Sequence, residues 1–137
     1  MVNNKRLFID TSGFYALLDK NDKNHSLIET VINQFDIFFT SNYIIDELIT
    51  LTRVRKLKTK KLTEFINDLI EGNICPVLRV TLEIERAAWK MSQKYSDQNF
   101  SFTDCTSFIL MKENEIRYAC SLDKHFVIAG FSLAEKV

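Results

Sequence analysis

Short apolar runs alternate along the chain with stretches where apolar residues recur every three or four positions. The runs "RLFID", "DIFFTS", "ICPVLRV" and "RYACSLD" read as strands, covering residues 6–10, 36 to about 40, 74–80 and 117–123. Helical spacing fills the intervals. It predicts a short helix over 13–18 and a second over 24–34. A third covers 42–57, where Ile44, Ile45, Leu48, Leu51 and Val54 share a face, and a fourth covers 59–71, stopped by Gly72-Asn73. Thr81 caps the next helix, with Ile84, Ala87, Ala88 and Met91 on one face, and Thr103 caps another over 104–114. "HFVIAGF" adds a short fifth strand, and Pro76 marks an edge strand or a strand beginning.

No hairpin signal joins consecutive strands. Alternation of this kind predicts one α/β domain over residues 1–137. Its architecture is three-layer α/β/α, around a central, mainly parallel sheet of about five strands. Such sheets bind ligands beyond the carboxyl ends of their strands, at a topological switch point. Asp10 and Asp123 both stand at strand ends of that kind.

Composition narrows the setting more than the function. Hydrophobic residues make up 46% and charged residues 26%, ordinary for a globular protein. Eighteen basic residues balance eighteen acidic ones, so net charge points to no partner. Three cysteines without a CxxC pair fit a reduced, cytoplasmic protein rather than a zinc knuckle or a disulfide framework. No apolar run has the length of a membrane span, and the start of the chain lacks a signal-peptide core.

A carboxylate directly after the buried run "LFI" is costly unless something pairs with it. Three further acids can join Asp10. Glu47 follows Ile44 and precedes Leu51 on the inward stripe of its helix, whereas Asp46 is turned about 100° away. Asp104 opens a helix, and Asp123 ends a strand. Taken singly, each has a plain structural reading, as a helix cap, a first-turn acid, a turn residue or half of an ion pair. Together they would repel one another unless a cation were present. Hard oxygen donors suit Mg²⁺ or Mn²⁺. Two such ions, ~3.5–4 Å apart, could activate water and stabilise the leaving oxygen of a phosphodiester.

"FIDTSGFYALLDKNDKNH", "FTSNYIIDELITLTR", "FSFTDCTSFILM" and "SLDKHFVIAGF" together resemble the PIN domain family. The likeness is greatest to small single-domain prokaryotic members such as the toxins of VapBC toxin–antitoxin pairs. The matches keep family order over nearly the whole chain. The resemblance implies a five-stranded parallel sheet and a Mg²⁺- or Mn²⁺-dependent endoribonuclease. Its acidic catalytic and metal-binding set falls on Asp10, Glu47, Asp104 and Asp123. The hydroxyls of Ser12 and Thr103 take the place of partners to the metal ions or their water. Implied partners are an RNA substrate, an antitoxin protein and a second copy of the chain. Apolar residues around Ile49 and Ile66 add to the expectation of a homodimer. Asp22 and His25 match a common family pattern without an evident chemical role.

Other features weigh less. Arg53, Arg55, Lys56, Lys58, Lys60 and Lys61 form a basic segment, read either as a solvated helix junction or as a guide for RNA phosphates. His125 is read as fixing the turn at Asp123, and Phe100 and Phe102 as core rather than base-stacking residues. Two alternatives stand beside the nuclease. A non-catalytic module binding RNA or protein would not need the full acidic set. A phosphoryl-transfer enzyme of the haloacid-dehalogenase kind would want an aspartate where Ser12 stands.

Overall fold

The computed structural model describes residues 5–134. In chain order the elements are β1 (Arg6–Ile9), α1 (Thr11–Leu18), α2 (His25–Ile32), β2 (Ile37–Ser41), α3 (Asn42–Val54), α4 (Lys60–Ile70), β3 (Val77–Leu78), α5 (Leu82–Lys94), α6 (Phe102–Glu113), β4 (Tyr118–Cys120), α7 (His125–Ile128) and β5 (Ser132–Leu133). The strands form one parallel sheet in the order β3-β2-β1-β4-β5. Leu7 is paired with Phe38 on one side and Tyr118 on the other.

Crossover handedness assigns the layers. The chain steps from β1 to β2 to β3 in one direction, so right-handed crossovers put α1 to α4 on one face. It then returns across the sheet to β4 and β5, which puts α5 to α7 on the opposite face. Packing agrees: α1 touches α2 and α3, α3 touches α4, while α5 packs on α6 and α6 on α7. The central strand is covered on both sides, and Leu7 and Phe8 are fully buried. Phe14 meets Phe65 edge-on beneath one face, and Phe108 meets Phe126 beneath the other.

Several boundaries differ from the sequence pattern for identifiable reasons. Helix α1 begins at Thr11 because the Asp10 side chain caps it. Helix α3 ends at Val54, and Lys56 takes a left-handed φ of 57° in the turn that follows. Helix α6 begins at Phe102, not after Thr103. Ser101 and Asp104 form a reciprocal capping box, which leaves Thr103 inside the first turn. "HFVIAGF" is not a strand. Asp123 Oδ1 accepts the backbone N–H of His125 and starts a helical turn that buries Phe126 against Phe108. Only after Gly130, at φ 99°, does the chain extend into β5. Strand β3, which follows Pro76, is an edge strand.

The "NDKNH" turn acquires a structural role. Asp22 accepts the backbone N–H of Asn24, and His25 Nδ1 donates to the Ala16 carbonyl at 2.8 Å. The carbonyl belongs to the last turn of α1, where such groups lack helical partners. His25 therefore ties the start of α2 to the end of α1.

Candidate active site

Chain direction across the sheet reverses between β1 and β4, and the crevice at their carboxyl ends is the topological switch point. Helix α1 is pressed hard against that junction. A Cβ on Gly13 would lie 2.6 Å from the Cys120 carbonyl oxygen and 2.9 Å from its sulfur, so only glycine fits. The Asp10 N–H donates to the same carbonyl at 3.2 Å.

Asp10 is 7% exposed and accepts three hydrogen bonds. Gly13 N–H and Ser12 Oγ donate to Oδ1 at 3.0 and 2.8 Å, and Ser121 Oγ donates to Oδ2 at 2.6 Å. Burial nevertheless pushes its pKa up to about 6. The hydrogen bonds from Ser121, Gly13 and Ser12 pull it back only in part, and the Asp104 charge adds to the rise. Asp10 is thus both the cap of α1 and a carboxylate short of positive charge.

The other acids come from separate elements. Glu47 lies on the second turn of α3, half-buried, and accepts a hydrogen bond from Thr11 Oγ1, whereas Asp46 is exposed. Asp104 sits in the first turn of α6, where Oδ2 accepts the Ser101 N–H at 3.0 Å. Asp123 follows β4. Its N–H donates to Ser121 Oγ, and its Oδ2 lies 3.1 Å from His125 Nδ1. The same Nδ1 lies 2.9 Å from Asp104 Oδ2, so one imidazole spans both carboxylates. One ligand atom each from Asp104, Asp123 and His125 falls within a 4.8 Å group. The N-termini of α1 and α6 lend partial positive charge to these acids.

A cleft of about 350 Å³ is lined by Asp10, Thr11, Ser12, Glu47, Leu51, Asn99, Ser101, Asp104, Asp123 and His125. Thr103 does not line it. Its place as a hydroxyl beside Asp104 is taken by Ser101, two residues earlier. Spacing alone does not single out Thr11, Ser101, Ser121 and His125 as site residues. Each adjoins a strand-end or helix-start acid, and that adjacency is the signal that would have found them. The contacts of Thr11 with Glu47, of Ser121 with Asp10 and of His125 with Asp104 also run between elements, which spacing cannot display.

Basic residues gather elsewhere. Arg53, Lys58 and Lys60 rim a larger groove of about 670 Å³ between α3 and α4, floored by Ile49, Leu57, Leu62 and Ile66. It contains no carboxylate, so size does not mark the chemistry here. Arg55 stacks its guanidinium on the Tyr15 ring at 4.5 Å, and Lys56 and Lys61 are exposed. Phe100 is half-buried, edge-on to His125 and Phe108, while Phe102 is 38% exposed.

The donor set of the cleft fits a hard divalent cation: carboxylate oxygens predominate, and one carboxylate is buried without a neutralising charge. No thiol offers an alternative. Cys75, Cys105 and Cys120 are buried, and burial pushes the Cys75 and Cys120 thiols up to about 11 and about 12.

Known proteins match most of this chain. The chain is 29% identical over 126 residues to the "23S rRNA-specific endonuclease VapC20" of Mycobacterium tuberculosis, covering 91% of this chain and 95% of that protein. It is 28% identical over 124 residues to a "VapC ribonuclease" of Archaeoglobus fulgidus, covering 86% and 77%. The crystal structure of M. tuberculosis VapC20, described as a sarcin-ricin loop cleaving toxin, superposes with a TM-score of 0.83 at 28% identity, over 91% of this chain and 95% of that one. A parallel sheet in the order 3-2-1-4-5, with acids gathered at its switch point, and a PIN domain match over residues 7–131 lead to one assignment: the chain belongs to the PIN domain family.

Proposed function

We propose that the protein is a divalent-metal-dependent endoribonuclease, with Mg²⁺ or Mn²⁺ held by Asp10, Glu47, Asp104 and Asp123. The observation that carries this reading is the cleft itself. Carboxylates from β1, α3, α6 and the β4 end line one space, and the most buried of them has its pKa raised to about 6. When bound, such ions supply an activated water and charge stabilisation for the leaving oxygen. The chain's own groups hold the carboxylates in place. Ser12 and Ser121 fix both oxygens of Asp10, Thr11 orients Glu47, and His125 spans Asp104 and Asp123.

RNA as substrate rests on the ribonuclease relatives. We further propose that Arg53, Lys58, Lys60 and Lys61 help to draw RNA in, and that the protein acts in the cytoplasm as the toxin of a pair with an antitoxin protein, as a homodimer. Among the described residues no helix is long and apolar enough to cross a membrane. Ile49 and Ile66 are half-buried against the core and line the α3–α4 groove, whereas Leu82 and Trp89 on α5 are 59% and 57% exposed. The deciding experiment is cleavage of RNA by purified protein with Mn²⁺, with EDTA, and by Asp10→Asn and Asp104→Asn variants. Activity should require the metal and fall by orders of magnitude in either variant. EDTA-resistant cleavage, or full activity in Asp10→Asn, would remove the reading.

A further inference from the structure

A separate pocket of about 300 Å³ opens between α5, α6 and the segment after α7. Lys90, Lys94 and Lys112 line it beside the exposed Tyr95, the half-buried Phe131 and the buried Phe108. Lys90 and Lys94 are one helical turn apart on α5, so both ammonium groups serve the same face. Lys112 approaches from α6. All three are exposed, and among the described residues none has a carboxylate within ion-pair distance. Three like charges around one concavity repel each other unless an anion joins them.

The pocket adjoins the acidic cleft through a chain of rings. Tyr95 and Phe108 pack against Phe100 with centroids 6.0 and 5.1 Å apart. Phe100 in turn meets the His125 ring at 5.4 Å. One aromatic ring therefore separates the wall of the basic pocket from a lining residue of the cleft. From this juxtaposition we propose that the pocket binds backbone phosphates of the single-stranded RNA that flanks the cut site, which rests on the nuclease reading above. A positively charged groove that tracks the backbone, with an exposed ring such as Tyr95 beside it, is the arrangement by which proteins follow single strands. The acidic cleft repels bare phosphates, and a neighbouring basic pocket would offset that repulsion for the strand as it enters.

The test is binding of a fluorescent single-stranded RNA in EDTA, where affinity is read without cleavage, over a range of salt. The Lys90→Gln/Lys94→Gln/Lys112→Gln protein should bind at least tenfold more weakly at low salt. Its log–log salt slope should be shallower by about 2, from ~0.7 per phosphate contact on a single strand. A triple Lys→Arg protein should bind as the wild type does, which separates charge from any loss of fold. Wild-type affinity and slope in the glutamine variant would overturn the proposal. So would equal loss in the glutamine and arginine variants, or weakened binding of an acidic peptide with RNA binding unchanged. Loss of binding through these lysines in a protein that cleaves nothing with Mn²⁺ would uphold the phosphate site and remove only the nuclease reading.

Discussion

Ser121 donates its hydroxyl to Asp10 Oδ2 at 2.6 Å, joining two strand ends 111 residues apart in the chain. Ser121 Oγ in turn accepts the Asp123 N–H at 2.9 Å. One small side chain thereby sets the position of two acids in the cleft. Replacing Ser121 with alanine should leave the fold intact and weaken the apparent Mn²⁺ affinity in RNA cleavage by roughly 10–100-fold, the usual cost of losing a partner that orients a ligand. Threonine should restore most of it. A metal titration of single-turnover cleavage checks the ordering.

Asp10 should govern how the metal-free protein responds to pH. Its folded pKa of about 6 stands above the ordinary 3.8, so between these values the folded state binds more protons than the unfolded one. Stability should therefore fall as pH rises from about 4 to about 6 and level off above, a loss of roughly 3 kcal/mol from this group. Asp10→Asn should remove that dependence and raise stability at pH 7. Denaturant unfolding in EDTA at several pH values measures it. Added Mn²⁺ should stabilise the wild type at pH 7 far more than the variant.

Glu47 and Asp46 form an internal control on one helix. Glu47 lines the cleft and Asp46 faces solvent. Glu47→Gln should reduce metal-dependent cleavage by orders of magnitude, while Asp46→Asn should leave rate and stability nearly unchanged. Equal effects from the two substitutions would contradict the placement.

Gly13→Ala should be among the more damaging small substitutions in the chain. The added methyl meets backbone at Cys120, which cannot swing aside as a flexible side chain could. The cost should be about 1–3 kcal/mol, as for other overpacked sites. Activity should fall further than stability alone explains, because Ser121 and Asp123 follow directly. Unfolding curves and cleavage rates measured below the melting transition separate the two effects.

The three thiols should resist alkylation in the native protein. All are buried, and burial raises each pKa, so little thiolate forms near neutrality. Mass spectrometry after treatment with iodoacetamide should find them unmodified until denaturant is added.

What the sequence determines here is order and periodicity. Alternating apolar runs and helical stripes are local patterns, so they place the strands and helices in sequence and turn Glu47 inward and Asp46 outward. The position of Asp10 and Asp123 at strand ends follows from the same patterns. Tertiary structure decides what local patterns cannot carry. "HFVIAGF" has the composition of a strand but forms a helical turn, because Asp123 captures the His125 N–H and Phe126 finds a pocket against Phe108. The cap of α6, by contrast, is a local matter: Ser101 and not Thr103 stands three residues before Asp104, the spacing a reciprocal capping box needs. The pairing of Ser121 with Asp10, of Thr11 with Glu47 and of His125 with Asp104 exists only after crossovers bring distant segments to one switch point. Local periodicity fixes which way a side chain faces, and only the folded sheet determines which other side chain it meets.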